Sequence, residues 1–86
     1  MMLNIGYENF VAVNKIMAIV SPDSAPLKRD ISDHKDAGKC IDATYGSRTK
    51  SVIYLSNGHI LLSSQSPATL NNKLSKAKNI SQEEEI

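Results

Sequence analysis

Residues 41–64 read IDATYGSRTKSVIYLSNGHILLSS, and this stretch decides the fold. A strand signal, Cys40 to Tyr45, runs into the turn Gly46-Ser47-Arg48-Thr49-Lys50. Two apolar arms follow, joined at Asn57-Gly58. Asn-Gly favours a two-residue type I′ hairpin, because both central residues of that turn need positive φ. Such a loop pairs Leu55 with Ile60 and Ile53 with Leu62. Both faces of the first arm are apolar: Ile53 and Leu55 on one, Val52 and Tyr54 on the other. A domain this small has little material to cover both, so the reading favours a subunit interface on one face. The alternative is that one helix covers each face. The strand Cys40 to Tyr45 alternates, with Ile41, Ala43 and Tyr45 on one side and Cys40, Asp42 and Thr44 on the other.

Working outward, Leu3-Asn4-Ile5 and Phe10 to Val13 predict two short strands, the first stopped by Gly6. Asn14-Lys15 reads as a turn, which leaves Lys15 exposed. Ile16 to Val20 is a continuous apolar run, predicting a strand buried on both faces. Ser24 is a favoured N-cap and Pro26 falls in the first helical turn, so a helix starts there. Leu27, Ile31 and His34 form its narrow apolar edge, and Gly38 is suited to the left-handed residue that ends it. Ser66-Pro67 starts a second helix, docked through Leu70 and Leu74. Residues 1–75 make one domain. Residues 76–86 are polar, end in Gln-Glu-Glu-Glu-Ile, and predict a disordered tail. The whole reads as a small α+β domain, an antiparallel sheet with two helices.

The 86 residues carry ten Lys or Arg and nine Asp or Glu, a net charge of +1. The acidic excess sits in the tail; without residues 76–86 the body keeps eight basic and six acidic residues. Composition alone therefore does not announce a nucleic-acid binder, and any such charge must be clustered or multiplied by assembly. No apolar run approaches the ~20 residues of a membrane span, and no signal peptide is visible. A lone cysteine, Cys40, fits a reducing, cytoplasmic setting.

Catalysis has little to stand on. Cys40, His34 and Asp42 can be drawn as a nucleophile, base and orienting acid. However, Cys40 reads as a small buried hydrophobe, and His59 as an exposed hairpin residue. Two histidines and one cysteine at scattered spacing make no metal signature, and four isolated glycines make no phosphate loop. The expectation is a protein with no enzymatic activity, cofactor, metal or small-molecule substrate. The Gly46 to Lys50 turn is different. Arg48 and Lys50 supply positive donors, and Ser47 and Thr49 supply hydroxyls, the mixture that positions phosphates. Arg48 can also present its planar fork to guanine. Against this, a basic turn is often only a solvated turn. Lys28-Arg29 reads first as a salt-bridged helix face with Asp33 or Asp36.

Three blocks go further. Residues 3–6 (LNIG), 14–29 (NKIMAIVSPDSAPLKR) and 41–53 (IDATYGSRTKSVI) resemble the RemA-type regulators of extracellular-matrix genes. The similarity spans about residues 3–75, and its contiguous blocks are far more specific than any short motif. The resemblance implies a cytoplasmic, nucleoid-associated bacterial DNA-binding protein with a fold similar to the LytTR-type domain. It implies assembly into a closed ring, with basic residues repeated around it binding duplex DNA. The family's DNA-contacting positions fall on Lys15, Ser47 and Arg48.

The departures have consequences. Lys15 keeps the charge of a family Arg and loses its bidentate fork. Ser47 loses a charge outright, and Lys50 compensates in part. The expected function is a ring-forming transcriptional regulator that wraps or bends duplex DNA through Lys15, Ser47, Arg48 and Lys50, regulating matrix or biofilm genes. The competing expectation is an oligomeric scaffold that binds proteins instead of DNA.

Overall fold

A hairpin fills the middle of the main sheet, and the rest of the chain is laid around it. In a computed structural model, which describes the backbone of residues 1–85 and the side chains of residues 1–76, six strands and two helices follow in order. They are β1 (Met2–Asn4), β2 (Phe10–Ala12), β3 (Ile16–Val20), α1 (Ala25–Asp36), β4 (Cys40–Asp42), β5 (Ser51–Leu55), β6 (Ile60–Ser63) and α2 (Pro67–Glu85). A single 3-10 turn, Val13–Lys15, joins β2 to β3. The tail expected at residues 76–86 overlaps the second half of α2, and the side chains of 77–86 lie outside the described residues. β1 and β2 form a two-stranded sheet, and the other strands lie in the order β3-β5-β6-β4.

The main sheet is mixed, which corrects the expectation of an all-antiparallel one: β4 pairs parallel to β6, Cys40 opposite Ile60 and Asp42 opposite Leu62. The reason is the crossover. α1 carries the chain from β3 back along the sheet, and a helix is the usual way to bring the next strand in running the same way. The β5–β6 hairpin then occupies the two central positions, giving a split β-α-β arrangement. Local signals for both helices hold. The Ser24 hydroxyl accepts from Leu27 N at 3.3 Å. At the other end Gly38, at φ 72°, donates to Lys35 O, and Lys39 N donates to His34 O, a Schellman ending. Ser66 caps α2 through Thr69 N at 3.2 Å.

The hairpin register differs from the two-residue reading. Gly58 N donates to Leu55 O and Leu55 N to His59 O, so the loop is Ser56-Asn57-Gly58. Only Gly58 of the loop takes a positive φ, 86°, the pattern of a type I turn closed by a left-handed glycine. Ile53 therefore faces Leu61, and Val52 faces Leu62. Shifting the partner by one residue reassigns which pairs share a face.

Ile53 and Leu61 join Leu3, Ile5, Val11, Ala43 and Leu70 in one core, under β1–β2 and α2. Val52, Ile60 and Leu62 form a second, smaller core with Ile31 of α1, Cys40 and Tyr54. Both faces of β5 are thus covered within the chain, and Val52 and Ile53 are fully buried. The apolar first arm is no argument for a subunit interface after all. β3 is also not buried on both faces. It is an edge strand whose register shifts between Ile16 and Ala18, and Met17 at that bulge is 72% exposed.

Polar ties the sequence does not announce lock the two sheets and helices together. Ser51 and Ser63, opposite each other and both fully buried, donate to Gln65 O at 2.6 Å and Ile5 O at 2.7 Å. Lys73 of α2 reaches Asn4 O and the Gln65 side chain. On the α1 side the Tyr54 hydroxyl donates to Asp30, and burial together with that carboxylate pushes the phenol up to about 12.

Candidate nucleic-acid interface

The basic turn is held at every corner. β4 stops at Asp42 because the Asp42 carboxylate turns back on the chain. It accepts from Thr44 N at 2.9 Å and from the Thr44 hydroxyl at 2.6 Å. This Asx turn ends the expected alternation early. Ala43 and Thr44 are both buried, while Ile41 and Tyr45 are exposed. Ser47 N then donates to Thr44 O, closing a turn whose central residues Tyr45 and Gly46 sit at φ 56° and 84°. A Cβ on Gly46 would meet nothing within 4 Å, so glycine is needed there for backbone conformation and not for space. Lys50 N donates to Ser63 O at 2.8 Å and returns the chain to the sheet. Between these anchors Arg48 and Lys50 are exposed, with no carboxylate within 4 Å among the described residues.

Tyrosine packing buttresses the turn from outside. The β1–β2 connection makes a second left-handed turn, with Tyr7 at φ 51° and Glu8 at 61°. Non-glycine residues there are strained and need surrounding structure to hold them. Tyr7 stacks on Tyr45 with ring centroids 5.4 Å apart, and its hydroxyl lies 2.6 Å from Ser47 Oγ. The Ser47 hydroxyl, expected to face phosphate, is thus already engaged within the chain. Both rings remain open to solvent, Tyr45 at 85% and Tyr7 at 53%. No periodicity or motif in the sequence points to this pair.

The four sequence-derived positions do not form one patch. Ser47, Arg48 and Lys50 share the turn before β5. Lys15 is exposed at the far end of that strand, where its carbonyl accepts from Ser56 N at 2.9 Å. The five residues of β5, six steps from Lys50 to Ser56, separate the two places, roughly 20 Å at 3.3 Å per residue. The Lys28-Arg29 reading also changes. Arg29 and Asp33 stand four apart but do not pair; among the described residues the acid–base side-chain contact found is Asp30 with His34 Nδ1 at 3.5 Å. His34 is turned to Asp30 O and the Tyr54 ring. Burial pushes the Cys40 thiol above its ordinary range. His59 is half-buried rather than exposed, its Nδ1 enclosed with no partner among the described residues.

The Asx turn makes the site pH-sensitive. The Thr44 hydroxyl, then the Thr44 N–H, hold the Asp42 carboxyl below its ordinary range. The folded state therefore prefers the ionised form. That stabilisation is complete above the unfolded value of about 3.9 and is lost as pH falls through the lower folded value. Thr44→Val should thus be less stable than the parent near neutral pH, by about 1 kcal/mol for one lost hydrogen bond. The gap should narrow below about pH 4, read by denaturant unfolding across an acid series. A gap that stays constant with pH would leave Asp42 out of it.

The fold and the turn can be set beside known proteins. The family model described as RemA-like, extracellular matrix regulatory protein A-like, matches residues 2–74. A protein of Synechococcus sp. (strain JA-2-3B'a(2-13)), named as a candidate regulatory protein, is 51% identical over 77 residues, covering 90% of this chain and 86% of that one. A similarly named protein of Geobacillus sp. (strain WCH70) is 48% identical over 81 residues, 94% of this chain and 93% of its own. A third, from Nostoc punctiforme, is 50% identical over 72 residues, 84% and 82%. With a match that spans both sheets and the start of α2, this chain belongs to the RemA-like family of extracellular matrix regulatory proteins.

Proposed function

We propose that this chain is a DNA-binding transcriptional regulator that acts as a closed ring of copies, gripping duplex DNA through Arg48 and Lys50 and controlling matrix genes in the cytoplasm without catalysis. The observation that carries the reading is the turn itself. Two exposed cations sit on a backbone fixed by four hydrogen bonds, with no carboxylate of the described residues within 4 Å of them. A preorganised cationic loop loses little conformational entropy on meeting phosphate. Ser47 steadies the loop through Tyr7 in this reading rather than touching DNA. Lys15, about 20 Å away, reaches the same duplex some six base pairs along its axis.

One subunit has too few such cations for tight binding, so assembly is part of the proposal. The outer edge of β3 lies beside α2 across an apolar groove of about 640 Å³, lined by Val13, Ile16, Met17, Ala18, Ala68 and Leu74. On the opposite edge of the sheet Ile41 of β4 is 53% exposed. Two unlike patches on opposite edges suit head-to-tail contacts, which close into a ring when the rotation permits. The β4 edge of one copy docks in the β3–α2 groove of the next.

Light scattering of Met17→Glu and Ile41→Glu tests the arrangement. Each variant alone should be monomeric. Mixed, they should give a dimer and nothing larger, because one groove and one edge remain intact. A parent that is itself monomeric, or two variants that assemble like the parent, would overturn the ring. Duplex titration at low and high salt tests the partner, since phosphate binding weakens steeply with salt. The exposed Tyr7–Tyr45 pair favours a second reading, a protein-binding scaffold. Assembly with no DNA shift at any salt would support that one instead.

A further inference from the structure

Arg48 does not stand alone on its face of the molecule. A cleft of about 360 Å³ runs between α1 and the 43–50 turn, floored by Ile31 and Leu62 and rimmed by Lys28, Lys35, Arg48 and Asp23. Lys28 and Lys35 are seven residues apart on α1, within ~20° of each other around the helix and about 10 Å along it. They flank the core-facing stripe on the side of the turn. Arg48 also lines an adjoining cleft with Lys50, Ser21 and Asp23. Four cations from two separate elements thus form one continuous band.

The nearby acids offset that band only in part: Asp23 rims both clefts, Asp42 lies within electrostatic reach of Lys35, and these two carboxylates stand against four cations. The Asp23 carboxylate accepts the Ser21 hydroxyl at 2.7 Å. Asp30 serves Tyr54 and His34 on the core side. Asp33 and Asp36 project from faces of α1 turned 80° or more from Lys28, at 100° per residue. No carboxylate lies within 4 Å of Lys28, Lys35, Arg48 or Lys50 among the described residues. Like charges gathered around one cleft repel and oppose folding unless an anion joins them.

We infer that Lys28 and Lys35 are phosphate contacts of the same duplex that Arg48 engages, so that a DNA backbone runs along the cleft between α1 and the 43–50 turn. The inference rests on the DNA-binding reading and extends it to a helix that the sequence motifs leave out. Lysine is a point charge without a planar fork, so these two contacts hold the backbone and read no bases. Arg48, at the centre of the band, keeps the only geometry suited to a base edge.

The test is fluorescence anisotropy of labelled duplexes of unrelated sequence, titrated with the full chain over a salt series. The Lys28→Gln/Lys35→Gln variant should show a log–log salt slope shallower by about 1.8 for each subunit that touches the duplex, two contacts at about 0.9 each. At ~0.1 M salt that is roughly 60-fold weaker binding for one engaged subunit and more for several, alike on every sequence. Lys28→Arg/Lys35→Arg should restore the parent slope, and Lys39→Gln, an exposed lysine off the band, should not change it. A double Gln variant with the parent's slope, or with no greater change than Lys39→Gln, overturns the inference while leaving DNA binding intact. A loss confined to one sequence also overturns it. A parent that binds no duplex at any salt removes the DNA reading itself.

Discussion

Arg48→Ala should weaken duplex binding by about eight-fold at ~0.1 M salt for each subunit that loses its phosphate contact, and by more where its fork meets a guanine. A good bidentate contact to a base adds about 1–3 kcal/mol of discrimination against the wrong base. The fold should be indifferent, because the side chain is exposed and makes no ion pair among the described residues. Melting temperature and oligomeric mass should therefore match the parent, and only the binding isotherm should move. Arg48→Lys separates the two contributions. It should keep the salt slope and lose the sequence preference, since the charge survives and the planar fork does not. If Arg48→Ala binds DNA as tightly as the parent at the same salt, the turn is not the interface.

Ile53→Ala should be the most damaging small change to the fold itself. Ile53 is wholly enclosed at the centre of the sheet, between Ile19 on β3 and Leu61 on β6, with Leu70 of α2 in the same core. Truncating a buried isoleucine to alanine costs about 2–5 kcal/mol, transfer and cavity together. A domain of this length has a total stability of roughly 4–13 kcal/mol at 0.05–0.15 kcal/mol per residue. The loss is thus a large fraction of the whole. At 4–8 °C per kcal/mol it lowers Tm by roughly 10 °C or more. Calorimetry or denaturant unfolding measures it. An Ile53→Ala variant within ~1 kcal/mol of the parent would mean that β5 is not buried between two layers, and that one of its faces is open in the isolated chain.

That double burial is where expectation and structure part most clearly. The apolar pattern of Val52 to Leu55 does show that both faces are covered, but not by what. A neighbouring copy and the chain's own helices satisfy the same alternation equally well. What decides is the direction of β4. Once α1 carries the chain back to a strand parallel to β6, that helix lies on the Val52 side and α2 on the Ile53 side. On the main sheet the large exposed apolar side chains are then Met17 and Ile41, one on each edge strand, and the proposed interface moves with them.

The family, both helix starts, the glycine ending of α1, the existence of the central hairpin and the basic turn are all legible along the chain. Each of those is written in contiguous residues: Ser24 with Pro26, Gly38, Ser66-Pro67, Asn57-Gly58, and Gly46 to Lys50. The hairpin register, the parallel β4, the Tyr7 clasp on Ser47 and the distance from Lys15 to Arg48 emerge only in the folded chain. These depend on which distant segments meet, and one residue of slip or one reversed strand leaves every local signal unchanged. Lys28 and Lys35 show the same limit. Along the chain they are two ordinary surface lysines; folding lays them on one cleft with Arg48, with no carboxylate within 4 Å among the described residues, and that juxtaposition makes them a candidate contact.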